Sequence, residues 1–355
     1  MMSRVDQVAA LRSRYQDDLA HGPARFFQPR RTDCPWCGAA RLKVRLRTRD
    51  LLQGKPGRFV LEQCQDCRHV FQNPQLNAEG LEFYYRDFYD GLGEENLAAL
   101  FRGHDARYPL RAQAVLPHAE PDTWLDVGTG QGHFCDAARA VLPHTVFDGL
   151  DISAGVETAQ QRGWVQRGYR GGFVELAGEL AAQYDVVSMF HYLEHSTDPE
   201  AELIAAHRAL RPGGHLLIEV PDPQCRFGRL LGRWWLPWLQ PQHLHFIPVG
   251  NLRERLTELG FTVVAEEHAE PHDPVDLLAA AWLALSSVAP RKDEPWYAEA
   301  PGRASRVLRA TVLAAGVPLL VLGWLLDRLI KPGTRRRPGF SNAYRLLARR
   351  DDRPR

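Results

Sequence analysis

The sequence is short of three things, and each shortage excludes a class of protein. Cysteine is scarce, with six in 355 residues, too few for a disulfide-stapled secreted scaffold. Net charge is almost absent: 44 basic residues stand against 43 acidic, a formal +1. That balance gives no support to general nucleic-acid binding, though it can hide local basic clusters. A continuous apolar leader is also missing. The opening MMSRVDQVAALRSRYQDDLA is charged and reads as a polar start with a short helix over Val5–Leu19, not as a secretion signal. A cytoplasmic, reducing setting is the expectation. The remaining composition, 45% apolar and 25% charged, is ordinary for globular chains. It excludes collagen and wholesale disorder, and the length suits two or three domains.

The few cysteines are not scattered. Four form two tight pairs, Cys34-Pro-Trp-Cys37 and Cys64-Gln-Asp-Cys67, leaving Cys135 and Cys225 alone. Two intervening residues let both sulfurs of a pair turn toward one ion. Four thiolates suit a closed tetrahedral zinc site with no open position for substrate. RLKVRLRT and GRFVLEQ between the pairs read as short strands. The alternatives are four unligated thiols or a redox pair, and redox chemistry needs a CxxC that opens a helix after a strand. His69 follows the second pair as a surface or packed histidine. Beyond it the aromatic stretch from Phe71 to Tyr108 reads as linker, either covering a pocket or packing between domains.

The middle of the chain alternates strand and helix patterns. Thr123–Val127 leads into Gly128-Thr-Gly130-Gln-Gly132 and then an apolar helical pattern from Phe134 to Leu142. Glycines there permit tight backbone angles and close approach of a ligand. The spacing is GxGxG, which weakens a pyrophosphate reading. A second strand, Thr145–Leu150, ends at Asp151, where a carboxylate can accept both ribose hydroxyls of a nucleoside. Tyr184–Phe190 reads as a buried strand and Pro199–Leu210 as an amphipathic helix. Arg211–Gly214 reads as a turn, His215–Val220 as a strand, Leu252–Leu259 as a helix and Phe261–Glu266 as a strand. The alternation predicts an α/β fold with a mostly parallel sheet.

The motifs LDVGTGQGHF (125–134), GLDIS (149–153), YDVVSMFHYLEH (184–195) and LRPGGHLLIEVP (210–221) together resemble the class I S-adenosylmethionine (SAM)-dependent methyltransferases. WLQPQHLHF (238–246) fits a subgroup whose chains begin with a CxxC…CxxC module. The resemblance implies a Rossmann-like seven-stranded sheet, with a last strand near Ala343–Arg349. It implies SAM as cofactor beside structural zinc. Asp126, Gly128, Thr129, Gly130, Gly132 and Phe134 would surround its methionine part, Asp151 its ribose, and Ile152 and the loop at Phe173 its adenine. Phe190 would stand where the cofactor and acceptor pockets meet. Phe173 sits in an irregular GGFVEL that lacks the usual acidic residue after glycine.

Methyl transfer to oxygen or carbon can require proton removal, and a histidine near its free pKa of ~6.5 can do that. His191, His195, His243 and His245 are the candidates, against the alternative that the LEH element is architectural. Asp126 is read as a loop organiser. Trp234, Trp235 and Trp238 serve as an acceptor lid, a membrane-interface anchor or core packing. The run 310–326 is uncharged, interrupted by Pro318, and flanked by Arg303, Arg306, Arg309, Arg328, Lys331 and Arg335–Arg337. It lies at the short edge of the ~17–25 residues of a membrane span. A helix or hairpin lying on an anionic bilayer through residues 303–337 is preferred over a helix buried against the domain or a partner and over a true span, because a span would separate the last strand from its sheet.

The expected divisions are 1–30 polar leader, 31–72 zinc-binding module, 73–115 aromatic linker, 116–268 SAM-binding domain, 269–340 helical insertion, and 341–355 last strand and basic tail. The expected function is methyl transfer to a small-molecule, sugar or glycan, or lipid-linked acceptor, at the cytoplasmic side. The alternative is a non-catalytic zinc-containing scaffold that retains the fold. Nucleic-acid methylation is disfavoured, because His191-Tyr-Leu-Glu194 replaces the NPPY-like tetrapeptide of base-amino methylation.

Overall fold

The computed structural model describes residues 4–88, 107–268, 275–330, 332–335 and 337–352. Tyr89 and Phe101 of the aromatic stretch, Lys331, Arg336 and the end of the basic tail lie outside the described residues. The chain divides into two compact units, each assembled from separate stretches of sequence.

One unit holds residues 103–225, 245–273 and 333–355. Its sheet has seven strands: β1 (Thr123–Val127), β2 (Val146–Asp151), β3 (Gly168–Arg170), β4 (Tyr184–Phe190), β5 (Leu210–Pro221), β6 (Phe261–Glu267) and β7 (Ala343–Arg350). Their order is β6-β7-β5-β4-β1-β2-β3. β3, β2, β1, β4 and β5 pair in parallel, whereas β7 runs antiparallel between β5 and β6. Strand order reverses between β1 and β4, the crevice where open α/β sheets bind ligands. Trp124, Phe134, Phe147, Val186, Leu217 and Leu347 meet in the core.

Burial on both faces explains the near-continuous apolar runs of β4 and β5. β5 begins earlier than its apolar pattern. The expected turn Arg211–Gly214 lies inside the strand as a bulge: Leu210 pairs with Tyr184, and pairing resumes at His215 with Val186. Gly213, at φ +80°, supplies the backbone angle that the bulge requires.

The other unit holds residues 1–102, 226–244 and 274–332. Leu42–Thr48, Phe59–Cys64 and Val70–Gln72 form an antiparallel meander carrying the two cysteine pairs. Nearby, Tyr15, Phe26, Phe59, Phe83, Tyr84 and Trp296 form an aromatic core. Trp235 and Trp238 are buried, with ring centroids 4.9 Å apart. The Trp235 indole N–H donates to Asp276 at 2.9 Å. Core packing therefore accounts for these two tryptophans.

The helix Asp276–Val288 packs on Val317–Leu329. The Asp327 carboxylate accepts from the backbone N–H of Leu277 and Leu278 at 2.9–3.2 Å, placing an anion at a helix N-terminus. Residues 303–329 form the one helix among those described that is long and apolar enough to cross a membrane. It is broken at Gly316, two residues before Pro318, whose nitrogen has no proton to continue the ladder. Only 11% of its most apolar window is buried.

Candidate functional site

The glycine loop follows β1. Gly128, Gly130 and Gly132 have φ values of +77°, +54° and +81°, angles that side chains with a Cβ adopt only with strain. Their surroundings differ. A Cβ on Gly128 would lie 2.7 Å from Tyr192 Cδ2, and one on Gly132 would lie 2.7 Å from the Ala159 Cβ. A Cβ on Gly130 would meet nothing within 4 Å. Gly130 is therefore the point where the loop backbone faces open space.

Two carboxylates hold this loop. Asp126, at the end of β1, is buried and accepts from the Ser188 hydroxyl at 2.6 Å. Ser188 in turn accepts from the Trp124 indole at 2.8 Å. Burial pushes the Asp126 carboxyl up to about 6, opposed by the Ser188 hydrogen bond. Asp151 ends β2. One oxygen accepts from Gly130 N–H at 2.9 Å and the other from Ser153 N–H at 2.7 Å. Beside it Ile152 is 69% exposed, an unusual position for a large apolar side chain next to a glycine loop. Thr129 is buried, with its backbone N–H donating to Leu150 at 3.1 Å.

Two of the expected cofactor contacts have buried side chains. Phe173 is wholly buried, so its ring has no surface to offer an adenine; the neighbouring Val174 carries the exposure. Phe134 is in the core, with its ring 4.7 Å from that of Phe190. It supports the loop from below.

The four histidines have different local surroundings. His191 follows β4 at φ +51°, a left-handed angle costing ~1–2 kcal/mol for a residue with a Cβ. Its backbone N–H donates to the Glu219 carbonyl at 2.9 Å. Its Nδ1 lies 2.9 Å from Glu194 Oε1, and its Nε2 lies 3.5 Å from Glu219 Oε1. The side chain is 23% exposed. His195 is half-buried at the end of the same turn. His245 is buried in the same unit, and the short strand His245–Phe246 packs on the turn 193–195. His243 belongs to the other unit, is buried, and bonds through Nδ1 to the Pro237 carbonyl at 2.8 Å.

The sequence reading missed the group behind His191. Glu219 on β5 has no exposed surface. One carboxylate oxygen accepts from Arg111 (Nε 3.0 Å, and also Nη2), the other from Arg345 (Nε 3.0 Å, Nη2 2.6 Å). Arg345 also reaches Glu267 at 3.0 Å, and the Arg111 guanidinium lies 4.4 Å from the centre of the Phe190 ring. Burial alone would raise the Glu219 pKa. The two guanidiniums, with His191, outweigh it and hold the carboxyl well below the usual range. One signal was present: Glu219 is the single acidic residue in the apolar run LLIEVP, and a buried charge needs a partner.

At the cysteine cluster the four sulfurs lie within 4.8 Å of one another, with Cys34–Cys67 and Cys37–Cys64 each 3.6 Å apart.

Residues 101–266 match a family model described as a methyltransferase domain. A ubiquinone biosynthesis O-methyltransferase from Azotobacter vinelandii is 30% identical over 144 residues, covering 39% of this chain and 62% of the relative. One of the same name from Pseudomonas syringae is 30% identical over 128 residues, covering 34% and 54%. The chain thus spans less than two thirds of the length of these relatives. Among solved structures, a SAM-dependent methyltransferase from Archaeoglobus fulgidus aligns with a TM-score of 0.46 and 16% identity, covering 72% of this chain and 99% of that one. Within this unit the matched methyltransferase domain falls on the seven-stranded sheet and the glycine loop at its strand-order reversal.

Proposed function

We propose that the chain is a SAM-dependent methyltransferase acting on a small-molecule, glycan or lipid-linked acceptor, with structural zinc in its cysteine cluster and a cytoplasmic, membrane-peripheral location. The observation that carries the reading is the junction of Gly130 with Asp151 at the strand-order reversal. The open face at Gly130, the Asp151 carboxylate and the exposed Ile152 suit a loop-bound amino acid, a ribose and an adenine in that order. When bound, SAM supplies the electrophilic sulfonium methyl group.

The protein's part is positioning and proton handling. Asp126 ties β1 to β4 through Ser188 and holds the loop through a hydrogen bond with Thr129. Asp151 accepts ribose hydroxyls once its oxygens are shared with the loop. His191 is the best placed proton acceptor. Glu194 accepts from Nδ1 and fixes the ring; Nε2 is buried 3.5 Å from Glu219 Oε1, so an acceptor hydroxyl has to reach it beside that carboxylate. The Glu219–Arg111–Arg345 cluster then acts as a positioning group for His191. The curated relatives' names favour an oxygen acceptor.

Zinc fits the cysteine cluster on distance and donor chemistry. Zn–S bonds of ~2.3 Å in a tetrahedron require sulfurs about 3.8 Å apart, close to the 3.6 Å pairs observed. The bilayer reading is supported by the helix 303–329. Leu319, Val321, Leu322, Trp324, Leu325 and Leu326 are all 41–51% exposed, where a surface helix of a globular protein would carry charge. Arg303, Arg306 and Arg328 suit anionic headgroups.

Calorimetric titration of the zinc-replete chain with SAM tests the central reading. Micromolar binding that disappears in Asp151→Ala is expected; a folded chain that does not bind SAM would favour the scaffold alternative. Elemental analysis should find one zinc per chain, lost in Cys34→Ser.

A further inference from the structure

The unit without the glycine loop contains a second feature, one that methyl transfer does not use. A cavity of about 1200 Å³ lies between the turn 49–58, the segment 23–29 and residues 282–309. Six cationic side chains line it: Arg49, Lys55, Arg58, Arg291, Lys292 and Arg309. Its two acidic residues are already engaged. Asp50 is buried and accepts from the backbone N–H of Leu52, Gln53 and Lys55 at 2.9–3.3 Å. Glu294 is buried and receives Arg4 at 2.9 and 3.1 Å. Lys55 donates to the carbonyls of Phe83 and Arg86. Arg49 and Arg58 make no side-chain hydrogen bond or ion pair among the described residues. Arg309 donates to the Pro290 carbonyl at 2.6 Å and Arg291 to the Glu299 carbonyl at 3.3 Å, and with six cations against two carboxylates the lining carries net positive charge. Burial lowers the pKa of Arg309, so an anion there would relieve a cost already present.

The other walls are apolar, with Phe27, Leu51, Leu52 and Trp282 among them. Trp282 belongs to the helix Asp276–Val288, which packs on the exposed apolar helix Val317–Leu329. Arg309 lies on the helix Arg303–Ala315, which leads into that same apolar segment. Cationic lining thus adjoins an apolar helix pair, an arrangement that matches an amphiphile with a phosphate at one end and hydrocarbon at the other.

We propose that this cavity binds one anionic phospholipid, with its phosphate among Arg49, Arg58 and Arg309 and its chains leaving past Trp282. The proposal rests on the membrane-surface reading above and goes further by naming a discrete site. A short-chain phosphatidylglycerol below its micellar concentration is the probe, titrated calorimetrically into the full zinc-replete chain. One lipid per chain should bind. Arg49→Ala/Arg58→Ala should weaken it roughly thirtyfold, from about 1 kcal/mol per cation, while Arg303→Ala/Arg306→Ala, outside the cavity, should leave it within threefold. Equal loss in both variants would reduce the effect to diffuse surface charge and overturn the site. So would inorganic phosphate binding as tightly as the lipid, which marks a free-anion site. The membrane reading is tested apart, by flotation of Leu322→Glu/Leu325→Glu with phosphatidylglycerol vesicles. Undiminished flotation would refute that reading whatever the short-chain lipid does.

Discussion

Replacing Glu219 by glutamine tests whether the charge cluster behind His191 is as costly to disturb as its geometry implies. The carboxylate is fully buried between two guanidiniums that are themselves buried. Neutralising it while keeping its shape leaves Arg111 and Arg345 facing each other across an amide. Arg345 keeps Glu267; among the described residues no second carboxylate forms an ion pair with Arg111. Breaking a buried ion pair from one side costs about 3–5 kcal/mol, which at 2–4 °C per kcal/mol lowers the midpoint of thermal unfolding by roughly 10 °C. Denaturant unfolding followed by circular dichroism measures this directly. Replacing all three, as Glu219→Leu with Arg111→Leu and Arg345→Met, should recover most of the loss, since the desolvation cost goes with the charges. The pH dependence gives a second readout. The folded Glu219 pKa is depressed, so its stabilisation is complete above the unfolded value of ~4.3 and is lost as pH falls below it. Glu219→Gln removes that acid-side loss. A variant within 1 kcal/mol of the parent would show the cluster to be energetically idle and would remove the basis for its positioning role.

Glu202 predicts the opposite slope. Burial raises its pKa to about 7, opposed by hydrogen bonds from Tyr192 and Ser196. Between ~4.3 and that value the folded chain holds a proton that the unfolded chain releases, so stability declines as pH rises through the window. Glu202→Gln should flatten that decline, on the order of 2 kcal/mol, in unfolding midpoints compared at about pH 5 and about pH 8. The glycine loop separates stability from binding. Gly128→Ala strikes Tyr192 and should destabilise by ~1–3 kcal/mol. Gly130→Ala pays only its backbone strain, ~1 kcal/mol, yet should weaken SAM binding more than tenfold; thermal scans beside calorimetry distinguish the two.

What could be read from the chain was local. Two-residue spacing announced the cysteine pairs, and three glycines between a strand and a helix announced the loop. Asp151 was legible because strand ends are where ligands sit in such sheets. The Glu219 cluster was not, because Arg111 precedes β1, Glu219 sits on β5 and Arg345 on β7, and no periodicity links them. The burial of Phe173 and Phe134 was not legible for a related reason. An aromatic residue beside a glycine is compatible with a ligand or with a core, and only the packing decided for the core. The linear divisions also hid that 226–244 and 274–332 join the N-terminal residues in one compact unit.

Strand topology constrains how the apolar helix can meet a bilayer. β6 and β7 are hydrogen-bonded neighbours, with Glu267 paired to Arg345 and Phe261 to Arg350. Antiparallel neighbours are usually joined by two to five residues. Here the connection leaves after Glu267, runs through both apolar helices, and returns at Ala343 beside its starting point. A single crossing by residues 303–329 would put β7 on the opposite side of the membrane from β6, breaking its pairing with β6 and β5. If the 27-residue helix meets a bilayer, it must therefore lie along the surface or turn back within it. The exposed positions Glu299 and Arg337 flank it. On vesicle-bound protein, cysteines placed at Glu299→Cys and Arg337→Cys should both react with a membrane-impermeant maleimide from the same side. Labelling of only one, with the other reached after the vesicles are opened, would establish a span and require a sheet without its antiparallel seventh strand.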